Sequence, residues 1–145
     1  MADEHLTARQ WLGRARGINR EIDMLERALQ DARDSATKIT QNYESDGAQS
    51  SKDPHKLDRL AEYADMIREK QNALYALRQE ITEAIYQLQD SRQRMVLFEY
   101  YINCRSWEAV AAKTHYSWRN TMYIRKTALL EFEKLFIELH IGSAV

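Results

Sequence analysis

Apolar and small residues recur along the first third of the chain at Trp11, Ala15, Ile18, Ile22, Leu25, Leu29, Ala32, Ala36, Ile39 and Tyr43, in alternating steps of four and three. That is the seam of a coiled coil, with charged side chains on the remaining faces of one long helix. A polar break follows, "ESDGAQSSKDP", which holds Gly47 and the chain's single proline, Pro54. A second periodic stretch then places Leu60, Ile67, Leu74, Ile81 and Leu88 at intervals of seven, supported by Leu57, Ala64, Leu77 and Ile85. Its middle is weaker, because Gln71 and Arg78 occupy companion positions. Two helices of similar length joined by a short polar loop are expected to fold back as an antiparallel hairpin, each burying the other's apolar stripe.

From Ser91 the periodicity shortens into three compact helices. "SRQRMVLFEYYIN" starts at a serine cap, Ser91, and sets Met95, Val96, Phe98 or Glu99, and Ile102 towards a core. Ser106 is expected to cap the next helix, with Glu108 at the favourable end of its dipole and Trp107, Val110, Ala111 and Thr114 as the buried stripe. His115-Tyr116 is the turn, and Ser117 caps a third helix whose inward stripe is Thr121, Ile124, Ala128 and Phe132, continuing to Leu135 and Leu139. At 100° per residue, Arg119, Met122, Tyr123 and Lys126 fall on the opposite face, flanked by Trp118 and Asn120. A short helix, a tight turn and a longer helix with cations, an amide and aromatics exposed near its start describe a helix-turn-helix.

The fold class that follows is all-α: a long antiparallel coiled-coil hairpin over residues 1–89, with its loop at about 45–54, then a helix-turn-helix domain over residues 90–145. Charge sharpens the division. Net charge is −1, yet Ser91 to Lys134 carries eight basic and four acidic residues, hence +4, leaving −5 elsewhere. An electrostatic footprint for nucleic acid therefore belongs to the C-terminal third. Arg119 suits a guanine or a phosphate and Asn120 an adenine. Lys113, Arg125 and Lys126 suit phosphates, and Trp118, Met122 and Tyr123 suit thymine methyl groups or sugars, with Ser117 opening the helix that carries them.

At these residues the chain resembles region four of bacterial sigma factors, gap-free over "SWEAVAAKTHYSWRNTMYIRKTALLEF" and less firmly upstream through "YQLQDSRQRMVLFEYYIN". Val110-Ala111 looks like the family's Ile-Ala pair, Ser117 like the serine opening its recognition helix, and Ala128-Leu129 with Phe132 like its closing Ala-Leu-x-x-Leu. The chain departs from the pattern at Ala109, where glutamate is usual, at His115, where the turn glycine is usual, and at Thr121, where valine is usual. His115 then needs a left-handed or adjusted backbone. There is no counterpart of the sigma segment that opens promoter DNA, and the hairpin stands in its place. "YYINCRSWEAVA" and "HYSWRN" look like the small sigma-like late-gene regulators encoded by phages and prophages of Gram-positive bacteria. The resemblance implies a sequence-specific transcription regulator in the cytoplasm of a bacterial host, acting on double-stranded DNA and on RNA polymerase or another phage protein.

Other functions are weaker fits to the residues. A glycine-rich phosphate loop, a paired-cysteine metal site and a nucleophile beside a base are all missing from the sequence, so an enzyme, a resident metal and a cofactor are not expected. The single Cys104 has no cysteine partner within the chain, and His5, His55, His115 and His140 lack ligand spacing. No apolar run approaches a membrane span. Two alternatives remain: a small-terminase-like phage packaging protein, and a protein-interaction module working through the hairpin. A coiled-coil seam also allows a homodimer.

Overall fold

The computed structural model describes residues 6–46 and 55–144. Among these every regular element is helical: α1 (Ala8–Asp46), α2 (Lys56–Ile85), α3 (Ser91–Leu97), a π-helical turn (Phe98–Ile102), α4 (Trp107–Thr114) and α5 (Trp118–Ala144). The expected loop at about 45–54 falls largely on residues 47–54, outside the described residues, as does the side chain of Tyr43 in the first seam. No described helix is long and apolar enough to cross a membrane.

Helices α1, α3, α4 and α5 each start on a local chemical signal. A reciprocal pair opens α1: the Gln10 backbone N–H donates to Thr7 Oγ1 at 3.1 Å and the Thr7 N–H to Gln10 Oε1 at 2.9 Å, satisfying two donors that a helix start otherwise leaves open. The end of α2 tightens, with Gln87 N–H donating to the Ala84 carbonyl and Leu88 N–H to that of Ile85. Arg94 then reaches back to the Leu88 and Gln89 carbonyls, at 2.6 and 2.9 Å. The cap of α3 is Asp90, which accepts from the Arg92 N–H at 2.8 Å, and not Ser91, which is the first helical residue. The Arg92 backbone N–H is the largest influence on the Asp90 carboxyl, and together with the Arg92 side chain it holds that carboxyl below its ordinary range.

The chain forms two compact units, one of Met1–Asn19 with Ala76–Val145 and one of Arg20–Tyr75. In the second, Ile22, Leu29, Ala32 and Ile67 are buried, as is Gln71. Gln71 Nε2 donates to Glu26 Oε2 at 3.0 Å, which answers the polar interruption of the seam: a buried amide is tolerable once it is hydrogen-bonded. Leu25, Leu60 and Leu74 are half-buried, and Leu57 is exposed.

The other unit holds the largest side chains of the core. Leu12, Ile81, Ile85, Val96, Leu97, Val110, Thr121 and Phe132 are all fully buried, each apolar one contributing about 1.5–3 kcal/mol. Trp11 packs on Phe132, with ring centroids 6.1 Å apart, and on Phe136 at 5.7 Å. These long-range aromatic contacts draw the start of α1 into the unit of α3 to α5, to which the end of α2 also belongs. The two compact units part at 19/20 and 75/76. Along the first short helix, Val96 and Ile102 are buried as expected, whereas Met95 is 44% exposed. On α5 the inward stripe holds through Phe132, but Leu139 is 43% exposed.

Candidate nucleic-acid interface

The short helices are joined by two connections of one design. The π-helical turn closes with Asn103 N–H donating to the Phe98 carbonyl and Arg105 N–H to that of Glu99, which requires a left-handed residue between them. Cys104 is that residue, at φ 58°. Ser106 then caps α4, its Oγ accepting from the Ala109 N–H at 3.1 Å. Eight helical residues later, His115 takes φ 64° while its N–H donates to Ala112 and the Tyr116 N–H to Ala111. This is the Schellman closure that glycine usually serves. Ser117 caps α5 in turn, accepting from the Asn120 N–H at 3.1 Å.

The faces of α5 separate as its spacing dictates. Thr121, Ile124, Ala128 and Phe132 are buried, and the Thr121 hydroxyl donates to the Ser117 carbonyl at 2.9 Å, so a threonine fits there without an unsatisfied group. Val96, Val110 and Ile124 form the local core, with Tyr100, Trp107 and Tyr116 packed around it. On the other side Arg119, Asn120 and Lys126 are exposed, Trp118 is 50% exposed and Tyr123 65%. Lys113 is exposed on the last turn of α4, and Ser117 on the turn itself. Met122 and Arg125 are half-buried, with an Arg125 guanidinium nitrogen 3.8 Å from the Met122 sulfur. Seven of the nine expected residues are thus exposed, and two are half-buried.

Trp107 is not in the core proper. It is half-buried, stacked on Tyr100 with ring centroids 3.9 Å apart and planes within 9°. The Arg125 guanidinium covers Trp107 at 4.7 Å and that of Arg16 covers Tyr100 at 4.1 Å. Arg16, Tyr100, Trp107 and Arg125 therefore make a continuous cation–π ladder from α1 to α5. Arg16 also donates to the Tyr100 and Arg105 carbonyls at 2.6 and 3.0 Å. Asn19 donates to the Ile102 carbonyl at 3.1 Å and to the Cys104 sulfur at 3.2 Å, and accepts from Arg78. Together these donors occupy carbonyls that the end of the π-helical turn leaves open. Sequence periodicity missed Arg16 and Asn19; the one available signal was their i, i+3 placement beside the seam, a polar pair on a face that α1 buries.

Burial works to raise the Glu99 carboxyl, but Asn103, Arg105 and the charge of Lys113 outweigh it and hold it below its ordinary range. Its Oε1 accepts from Arg105 Nε at 2.6 Å and from Asn103 at 2.9 Å, fixing the lead into α4. Burial pushes the Tyr101 phenol up. No group of three or more metal-ligating side chains occurs among the described residues. The surface offers hydrogen-bond donors, stacking aromatics and cations, the chemistry of a polyanion reader. No protein-family model matches the chain, and no curated protein and no solved structure is detectably similar to it.

Proposed function

We propose that the protein is a DNA-binding transcription regulator in which α4, the His115 turn and α5 act as a sigma region four-like helix-turn-helix. The observation that carries this reading is the face of α5: Arg119, Tyr123 and Lys126 stand exposed opposite a fully packed stripe, flanked by exposed Trp118 and Asn120. Exposed aromatics among cations at the start of a supported helix fit the major groove, where base edges and thymine methyl groups are read. The unit that contains this face carries twelve basic and ten acidic residues, while Arg20–Tyr75 carries nine and twelve. Duplex DNA is therefore the partner of the first unit.

In this reading α1 and α2 form an antiparallel coiled-coil hairpin that offers a platform to host RNA polymerase or another phage protein. Its register supports an intrachain hairpin: Asn19 meets Arg78 in one unit and Glu26 meets Gln71 in the other, one heptad on along α1 and one heptad back along α2. Polar partners at such positions fix register. The resemblance to phage and prophage regulators makes late-gene promoters the site of action, in the bacterial cytoplasm.

Selection of bound sequences from a random duplex pool, followed by anisotropy titration, tests the proposal. Arg119→Ala is expected to weaken the selected site by roughly 1–3 kcal/mol and to relax preference at one position. Absence of any duplex binding by the intact chain at low salt would refute it.

A further inference from the structure

A groove of about 590 Å³ runs beside the exposed face of α5, between it and the start of α1. Arg9, Met122, Arg125, Lys126, Leu129 and Glu133 are among its walls. Three cations face one carboxylate there. Arg9 and Lys126 are exposed and make no ion pair among the described residues. The Arg125 guanidinium has one face covered by the Trp107 ring, and the sulfur of Met122 beside it is a weak acceptor. Stacking of that kind holds a guanidinium in place and leaves its in-plane N–H groups to donate. A fixed guanidinium with two further cations in one groove is suited to an oxyanion with several acceptors, and the apolar wall of Met122 and Leu129 suits a sugar beside it.

We infer that Arg9, with Arg125 and Lys126, grips a backbone phosphate of duplex DNA, so that the first residues of α1 belong to the DNA interface. This rests on the duplex-binding reading and deepens it. Met122 and Lys126 belong to both the groove and the α5 face, so DNA seated on that face runs its flanking sugar-phosphate strand along the groove. Phosphate contacts of this kind set orientation and carry affinity without sequence preference. The periodicity of α1 gave Arg9 no role, because the contact depends on α5.

The test is the salt dependence of binding by the full chain, read by fluorescence anisotropy on a selected duplex and on a random one. Each phosphate contact contributes about 0.9 to the slope of log affinity against log salt. Arg9→Ala and Arg9→Gln are expected to flatten that slope by about this amount on both duplexes, and Lys126→Ala likewise. Arg9→Lys is expected to keep the slope, and Glu133→Gln to tighten binding on both. Thermal melts confirm that each variant is folded, the glutamine variant preserving helix propensity. An unchanged slope for folded Arg9→Ala and Arg9→Gln, with the wild type binding normally, overturns the phosphate grip and leaves the regulator reading intact. A wild type that binds neither duplex overturns both.

Discussion

The connection into α4 and the connection into α5 follow one plan. Each runs from a non-glycine residue in the left-handed region, through one linking residue, to a capping serine and a tryptophan: Cys104-Arg105-Ser106-Trp107 and His115-Tyr116-Ser117-Trp118. Eight residues of α4 and the three residues that link it to α5 set the two Ser-Trp pairs eleven residues apart. The tryptophans nevertheless meet different fates. Trp107 lies between Tyr100 and Arg125, whereas Trp118 is 50% exposed. Local chemistry sets where a helix begins; what stands across from its first residue, often far away in sequence, decides whether that residue is packed or left exposed.

The largest effect that separates the two connections is expected from Trp107→Ala. Removing the ring strips the stacking partner from Tyr100 and the platform from Arg125, and opens space beside Val110 and Ile124. A loss of about 3 kcal/mol is expected, the lower end for a large aromatic because the ring is only half-buried. Urea denaturation measures it, and a loss under about 1 kcal/mol would mean that the ladder adds little beyond ordinary packing.

Ser106→Ala and Ser117→Ala test the shared half of the plan. Both hydroxyls accept from the N–H three residues on, at 3.1 Å, so each alanine is expected to cost about 1 kcal/mol. Equal losses in chemical denaturation would support equal roles. A loss at only one would show that tertiary packing, not the cap, holds the other helix start.

Much of this was legible in the sequence because it is local. The Thr121, Ile124, Ala128 and Phe132 stripe follows from helical spacing, the caps Ser106 and Ser117 from residue type, and the strained turn at His115 from the absence of glycine. Part of what periodicity did not disclose depends on residues more than eighty positions apart. Arg16 stacks on Tyr100 and Asn19 holds Ile102 and Cys104, so the start of α1 joins the C-terminal helices although its seam runs unbroken past it. Cys104 looked like an isolated thiol; its left-handed backbone follows from the π-helical turn before it, a feature with no sequence period. Arg125 was expected at a phosphate, and only the structure places Trp107 beneath it.

The two left-handed residues offer a smaller contrast. His115 is exposed, so His115→Gly is expected to relieve backbone strain and stabilise the protein by roughly 0.5–1 kcal/mol, the gain being limited by the freer unfolded chain. Cys104→Gly relieves the same strain but loses the Asn19 contact to its sulfur and the sulfur's approaches to the Arg16, Tyr101 and Ile102 carbonyls. It is expected to gain less or nothing. Thermal melts of the pair compare them, and a larger gain at Cys104 would show that its sulfur contacts contribute no stability.

The smallest effect on folding is expected from Trp118→Ala, and it bears most directly on function. Trp118 occupies the first position of α5, where the Ser117 cap already satisfies the Asn120 N–H. Half of its surface faces solvent, and a change there is expected to stay within about 0.5 kcal/mol of wild type. Duplex binding should respond instead, weakening by about 1 kcal/mol, roughly fivefold, if the ring meets sugars or thymine methyl groups beside Arg119. Denaturation and anisotropy on the same preparation give both numbers. Should Trp118→Ala destabilise the fold as much as Trp107→Ala while leaving duplex binding alone, the division of labour between the two tryptophans would be wrong, and with it the assignment of the recognition face.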